Sequence, residues 1–237
     1  MPRVLLISLR DPSDPMAAHE HLCFAERCRV EPDDMQVHSM TQGLPARWRL
    51  QEVDALLFGG SGAYSVLDDV VWIRQAQDLL VDVVELGVPA WASCFGFQGL
   101  SVALGGAVER DDARTEMGST RIHLTEAGRR DGLLGPLPAA FWAQQGHHDR
   151  VTVIPEGVTL LATGDVCHEQ AFKVDKSPFW ASQFHPELTV ERTLERFRHY
   201  QEHYFEGDAE TILRTLESGA ETPELGDVLA RLVRHEF

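Results

Sequence analysis

Residues 88–98 read VPAWASCFGFQ. The short apolar run 88–92 predicts a buried strand. Cys94 follows at its end, Gly96 comes two positions later, and a helical pattern begins there. A strand that becomes a helix within a few residues, with small side chains letting the chain fold back, has the shape of a nucleophile elbow. Such a turn places a thiol at a helix N-terminus, where unpaired amides and the helix dipole favour an anion. A buried structural cysteine is an equal reading of this segment taken alone.

Working outward, two more apolar runs match the first. RVLLIS at 3–8 and DALLF at 54–58 read as central strands, the latter stopping at Gly59-Gly60. Between the runs at 54–58 and 88–92, Val70, Ile73, Ala76, Leu80 and Val83 recur at steps of three and four, which predicts an amphipathic crossover helix over 69–86. Strands alternating with helices imply an α/β fold with a mostly parallel central sheet flanked by helices. After Leu104-Gly105-Gly106 shorter runs are broken by turn residues such as Gly118, Gly132 and Pro155-Glu156-Gly157, so the sheet is expected to become mixed. From Thr189 the pattern is helical, with Leu194, Phe197 and Tyr204 on one side. An acidic helical tail carries Ile212, Leu213, Leu216, Leu225, Leu229 and Leu232. With no internal repeat or linker, 1–237 is expected to be one domain, with a core over about 1–205 and a helical extension over about 206–237.

Composition narrows the function classes. The 237 residues include 21 basic and 37 acidic side chains, a formal charge of −16, which repels phosphate backbones and anionic lipid and argues against a nucleic-acid partner. No apolar run approaches the roughly 20 residues that span a bilayer, and the N-terminal run regains charge at Arg10 and Asp11 without a cleavage site. No membrane segment is expected. The four cysteines, Cys23, Cys28, Cys94 and Cys167, show no paired metal-binding spacing, which suits a reducing cytoplasm. Gly59-Gly60-Ser61-Gly62 lacks the Gly-Lys-Ser/Thr ending of a phosphate loop. His147-His148-Asp149 lacks a third spaced ligand, so no metal and no cofactor are expected.

A second segment completes the chemistry. Gln183-Phe184-His185-Pro186-Glu187 ends the apolar run PFWASQF, which reads as a strand. A His with a carboxylate two positions on offers a general base and the acceptor that orients it. Alone, such a pair is an ordinary surface contact; with a cysteine on an elbow it is far more specific.

These motifs resemble the class I glutamine amidotransferase family. The family's G-x-C-x-G-x-Q stands here as Ala92 to Gln98 and its Q-F-H-P-E as Gln183 to Glu187. Its A-L-G-G matches Ala103 to Gly106, its S-H-G-D-K-V is similar to Gly146 to Val151, and Leu57 to Ser61 sits where the family has a Gly-Gly oxyanion loop. The chain is similar to free-standing proteins resembling the glutaminase half of GMP synthase. The resemblance implies a single-domain, flavodoxin-like class I amidotransferase architecture. It implies Cys94, His185 and Glu187 as catalytic residues, the backbone amides of Gly60 and Phe95 as oxyanion donors, and Gln98, Gly146, His147 and His148 as substrate contacts. The implied substrate is glutamine or another γ-glutamyl compound, with ammonia passed to a separate synthetase subunit. A γ-glutamyl peptide hydrolase and a non-catalytic binding module of the same fold stay open, as does the oligomeric state. Two positions depart from the family, Ala92 and His148, each replacing glycine; the second bears on which γ-glutamyl compound fits.

Overall fold

The computed structural model describes residues 2–204 and 209–237, and side chains outside 201–212. Positions 205–208, where the expected tail begins, and the expected apolar contacts of Tyr204 and Ile212 lie outside the described residues. In chain order the first half runs β1 (Val4–Ser8), α1 (Pro15–Cys28), β2 (Met35–Ser39), α2 (Arg47–Gln51), β3 (Ala55–Phe58), α3 (Val71–Leu86), β4 (Ala90–Ser93) and α4 (Phe95–Ala103). The second half runs β5 (Ala107–Arg110), β6 (Glu116–Leu124), α5 (Glu126–Arg130), β7 (Ala140–His147), β8 (Asp149–Val153), β9 (Val158–Gly164), β10 (Glu169–Val174) and β11 (Phe179–Ser182). Helices α6 (Val190–Tyr204), α7 (Ala209–Glu217) and α8 (Val228–Val233) follow.

A nine-stranded sheet organises the fold in the order β2-β1-β3-β4-β11-β10-β9-β6-β7. The pairs from β2 to β11 are parallel and those from β11 to β7 are antiparallel. The parallel core and its helices are the α/β architecture that the sequence predicts. The change of direction at β11 follows from the short, turn-rich segments after Gly106, which are too short for helical crossovers. Strands β5 and β8 form a separate antiparallel pair.

The parallel strands at the centre are apolar at nearly every position because both faces are covered. Val4, Leu6, Leu57 and Trp91 point to one side, where Phe24 of α1 and Val228 and Leu229 of α8 meet them. Leu5, Ile7, Leu56, Phe58, Ala90 and Ala92 point to the other, against Ile73 and Leu80 of α3 and Phe97 of α4. The apolar stripe of the C-terminal tail therefore packs on its own chain: Leu225, Leu229 and Leu232 are fully buried. Among the described residues no helix is long and apolar enough to cross a membrane.

Candidate active site

Cys94 stands between β4 and α4 with φ 51° and ψ −101°, left-handed territory that a non-glycine residue adopts at a cost of about 1–3 kcal/mol. The surrounding chain holds it there: Cys94 N donates to Ser182 O of β11 (2.8 Å), and Cys94 O accepts from Gln98 N (2.9 Å), which starts the helix. Gly96 makes the turn passable, because a Cβ on it would stand 3.0 Å from Ala92 Cβ and 3.1 Å from Phe58 Cβ. Ala92, where the family has glycine, lies in β4 with ordinary extended backbone, so its methyl fits without strain.

β11 runs beside β4 in register, Ser182 opposite Ser93, and so delivers the segment after it to the elbow. His185 is anchored by its own N–H to Gln144 O of β7 (3.0 Å), and its ring lines the same cavity as Cys94. Its Nδ1 lies 2.6 Å from Glu187 Oε1. That contact assigns the Nδ1 proton to the carboxylate side and leaves Nε2 for the thiol. Glu187 is itself fixed: Ser93 Oγ donates to its Oε2 (3.1 Å), and Arg196 Nη1 of α6 lies 3.5 Å from Oε1. Gln183 Nε2 donates toward Cys94 Sγ at 3.6 Å.

Burial and electrostatics oppose each other at this pair. Burial disfavours the imidazolium of His185, but the Glu187 charge, with the nearby Cys94, outweighs it and raises its pKa from 6.5 to about 9. Burial likewise disfavours the Glu187 carboxylate, yet His185 and Arg196 lower its pKa from 4.5 to about 2. The linked stability follows in sign. The raised His185 contributes stability that is complete below pH 6.5 and is lost as pH rises through about 9. The lowered Glu187 contributes stability that is complete above pH 4.5 and is lost as pH falls through about 2. Thermal melts of the wild type and His185→Gln are thus expected to converge as pH rises from 6.5 towards 9; a gap that stays constant would contradict the pairing.

The other expected site residues are distributed differently. Cys94, Phe95, Gln98, Gly146, His147, His148 and His185 all line one cavity of about 340 Å³. Phe95 opens α4, and the first-turn amides of a helix have no acceptor within it, so its N–H faces the elbow free of the helix ladder. Gly60 does not fit its expected role in this arrangement. Its N–H donates to Glu20 Oε1 at 3.0 Å, so the amide is turned to a buried carboxylate and not to the cavity. Gln98 is a strut more than a contact: its Nε2 donates to Asp149 O (2.7 Å) and to Gln183 Oε1 (3.1 Å). His147 has both ring nitrogens engaged, Nδ1 with Asp149 O (2.9 Å) and Nε2 with Glu116 Oε2 (3.2 Å). His148 sits at the cavity wall, with Nδ1 3.1 Å from Asp112 and 3.0 Å from Thr115 Oγ1. Burial, with Arg110 nearby, lowers its pKa.

Further partners carry no signal of their role in the sequence. Glu20 and Arg10 are buried and paired (3.2 Å), and Arg196 joins them behind Glu187. Gln183 precedes the His-Pro-Glu segment, but nothing in that spacing says that its amide reaches the thiol. Only the rarity of buried charge would have singled out the others, and burial is a property of the fold.

A second Cys-His-Glu cluster exists. Glu116, His147 and Cys167 bring their ligand atoms within 4.8 Å of one another. It resembles a catalytic triad in composition, but Cys167 does not line the cavity. Burial and the adjacent Glu116 push its thiol up to about 12. The thiol donates to Arg114 O (3.3 Å) and not to His147, whose ring nitrogens face Asp149 O and Glu116 Oε2.

Fold and cavity together define an α/β enzyme with a cysteine elbow backed by histidine and glutamate. The chain belongs to the family described as glutamine amidotransferase class-I, whose sequence model matches residues 24–215. It is 31% identical over 152 residues to one subunit of the glutamine-hydrolyzing GMP synthase of Sulfolobus acidocaldarius, covering 64% of this chain and 77% of that one. It is 34% identical over 159 residues to "GMP synthase [glutamine-hydrolyzing]" of Streptomyces avermitilis, covering 67% of this chain but only 27% of that longer protein. The crystal structure of a glutamine amidotransferase from Thermotoga maritima superposes with a TM-score of 0.73 at 19% identity, covering 100% of this chain and 99% of that one, a likeness of fold.

Proposed function

We propose that this protein hydrolyses the side-chain amide of glutamine through a γ-glutamyl thioester on Cys94. The observation that carries the reading is the thiol on its strained elbow, sharing one cavity with a histidine whose Nδ1 is 2.6 Å from a buried carboxylate. Cys94 gives its proton to His185 Nε2, a transfer favoured by the raised pKa of that ring, and the thiolate attacks the carboxamide carbon. The imidazolium then protonates the departing amide nitrogen, releasing ammonia, and the neutral ring takes a proton from the water that cleaves the thioester. Glu187 keeps Nδ1 protonated and stabilises the charged ring. Phe95 N–H is the oxyanion donor in this reading, a role worth about 3 kcal/mol in comparable sites. The ammonia goes to a separate synthetase subunit, a partnership supported by similarity to proteins named as single subunits of a glutamine-hydrolyzing GMP synthase.

A second reading, γ-glutamyl peptide hydrolysis, is favoured by one feature. The cavity at Cys94 adjoins another concavity, and Arg10, Ser61, Tyr64, Arg110, His148 and Tyr200 line both. That is room for a leaving group larger than ammonia. The readings separate on kcat/KM for glutamine, a γ-glutamyl dipeptide and an α-blocked glutamine, measured on the wild type and on His148→Gly. Preference for glutamine supports the amidotransferase, with His148→Gly expected to relax discrimination against the dipeptide. Preference for the dipeptide supports the hydrolase, and good turnover of the α-blocked compound would sink both.

A further inference from the structure

We infer that Glu116, His147 and Cys167 form a binding site for one divalent metal ion of the zinc class, apart from the cavity thiol Cys94. The three residues come from different places in the chain and are assembled by the sheet. In the pairing of β6 with β7, Glu116 stands opposite His147, and the turn between β9 and β10 brings Cys167 over them. All three are buried, with relative exposures of 3%, 4% and 2%.

Their geometry is that of a ligand set. His147 Nε2 and Glu116 Oε2 are 3.2 Å apart, close to the edge of a tetrahedron whose bonds to the centre are about 2.0–2.2 Å. The Cys167 sulfur lies within 4.8 Å of both ligand atoms. Imidazole nitrogen, carboxylate oxygen and thiolate sulfur together select a borderline-soft ion over magnesium or calcium.

The surroundings orient each ligand as a metal site requires. The Nδ1–H of His147 donates to Asp149 O at 2.9 Å, which turns the Nε2 lone pair towards Glu116. A ligating histidine commonly donates its other ring N–H to a carbonyl or carboxylate in this way. Gln170 Nε2 donates to Glu116 Oε2 (2.7 Å), and Gln145 Nε2 in turn donates to Gln170 Oε1 (2.7 Å), so the carboxylate is held by a two-step relay. Cys167 Sγ contacts Arg114 O at 3.3 Å. In that tautomer two lone-pair-bearing atoms face each other at Glu116 and His147, and a cation between them removes the repulsion.

Charge and protons balance. Binding forms one bond each to N, O and S, releases the Cys167 proton to solvent, and changes no oxidation state. Thiolate and carboxylate neutralise the dication, and water fills the fourth position. Because His147 is flanked by Gly146 and His148 on the cavity wall, the ion would pin the β7–β8 turn that shapes the cavity.

Cobalt(II) is the probe, added to the full-length chain after chelator treatment. One equivalent should give the visible bands of a tetrahedral site and a near-ultraviolet thiolate-to-cobalt band, and excess zinc should bleach both. Cys167→Ser should remove the thiolate band and Glu116→Gln should weaken binding at least about 10-fold. Cys94→Ser, which alters the other Cys-His-Glu set, should keep the full spectrum. Should Cys167→Ser fail to fold, as judged by circular dichroism, the wild type still decides: zinc must raise its melting temperature with saturation at one equivalent. A thiolate band that is absent from the wild type, survives in Cys167→Ser, or vanishes in Cys94→Ser would overturn the assignment, as would zinc leaving the melt unchanged.

Discussion

Replacing Cys94 with alanine is expected to lower kcat/KM for glutamine at least about 10⁴-fold, since loss of a nucleophile removes nearly all that a triad contributes. His185→Ala should match it, because the two act as a unit, and the double mutant should be little worse than either. Glu187→Gln should retain weak activity, down roughly 10³–10⁴-fold. The amide keeps a group at Nδ1 but no longer carries the charge that Ser93, His185 and Arg196 converge upon. Steady-state assays of ammonia release decide the series. An electrophilic glutamine analogue adds an independent readout, and peptide mapping should find the label on Cys94 alone. The other three thiols are poor competitors: burial pushes Cys23 and Cys167 up to about 12, and Cys28 higher still. Full turnover by Cys94→Ala would refute the reading whatever the label does.

The parts of the site that were legible in the sequence are those made by neighbours in the chain. VPAWASCFGFQ announced strand, elbow and helix because apolar run, nucleophile and glycine fall within one turn, and β4 and α4 lie where the pattern puts them. The 69–86 periodicity gave α3 because its stripe faces the sheet. Strand β2 left no comparable signal: MQVHS is buried only at its ends, as an edge strand with one neighbour can be. Helix α1 hides its meaning in the same way, since Glu20 reads as a solvated charge until the fold buries it beside Gly59-Gly60. The Gly-Gly pair looked like an oxyanion loop, and its spacing could not say that Gly60 N–H would be taken by a residue 40 positions away. The Glu116, His147 and Cys167 cluster was equally out of reach, because strand register sets it and no fixed spacing does.

Glu20→Gln is expected to cost about 3–5 kcal/mol of stability, the usual penalty for stripping one partner from a buried ion pair. Glu20 is wholly buried and accepts from Gly60 N (3.0 Å), Arg10 Nε (3.2 Å) and Ser8 Oγ (3.5 Å), with Arg196 Nη2 at 3.9 Å. The substitution preserves shape, so packing loss is not the cause. What it removes is the charge facing Arg10, itself buried, for which Asp14 at 3.5 Å and Tyr200 Oη at 2.6 Å are incomplete substitutes. For a chain of this size the penalty corresponds to a melting temperature lower by roughly 6–20 °C. Asp14→Asn is the comparison: its carboxylate is less buried than that of Glu20 and lies 3.5 Å from Arg10, so its loss should cost less than that of Glu20. Gly59→Ala should mimic Glu20→Gln by a different route. A Cβ there would stand 2.3 Å from Glu20 Oε2 and force the carboxylate off Gly60. Thermal melts of the three variants then test the network as a unit. If Glu20→Gln melts with the wild type, the buried pair does not hold the Gly59-Gly60 segment, and Gly60 N–H would be free to turn to the cavity and serve as the oxyanion donor that the sequence expected.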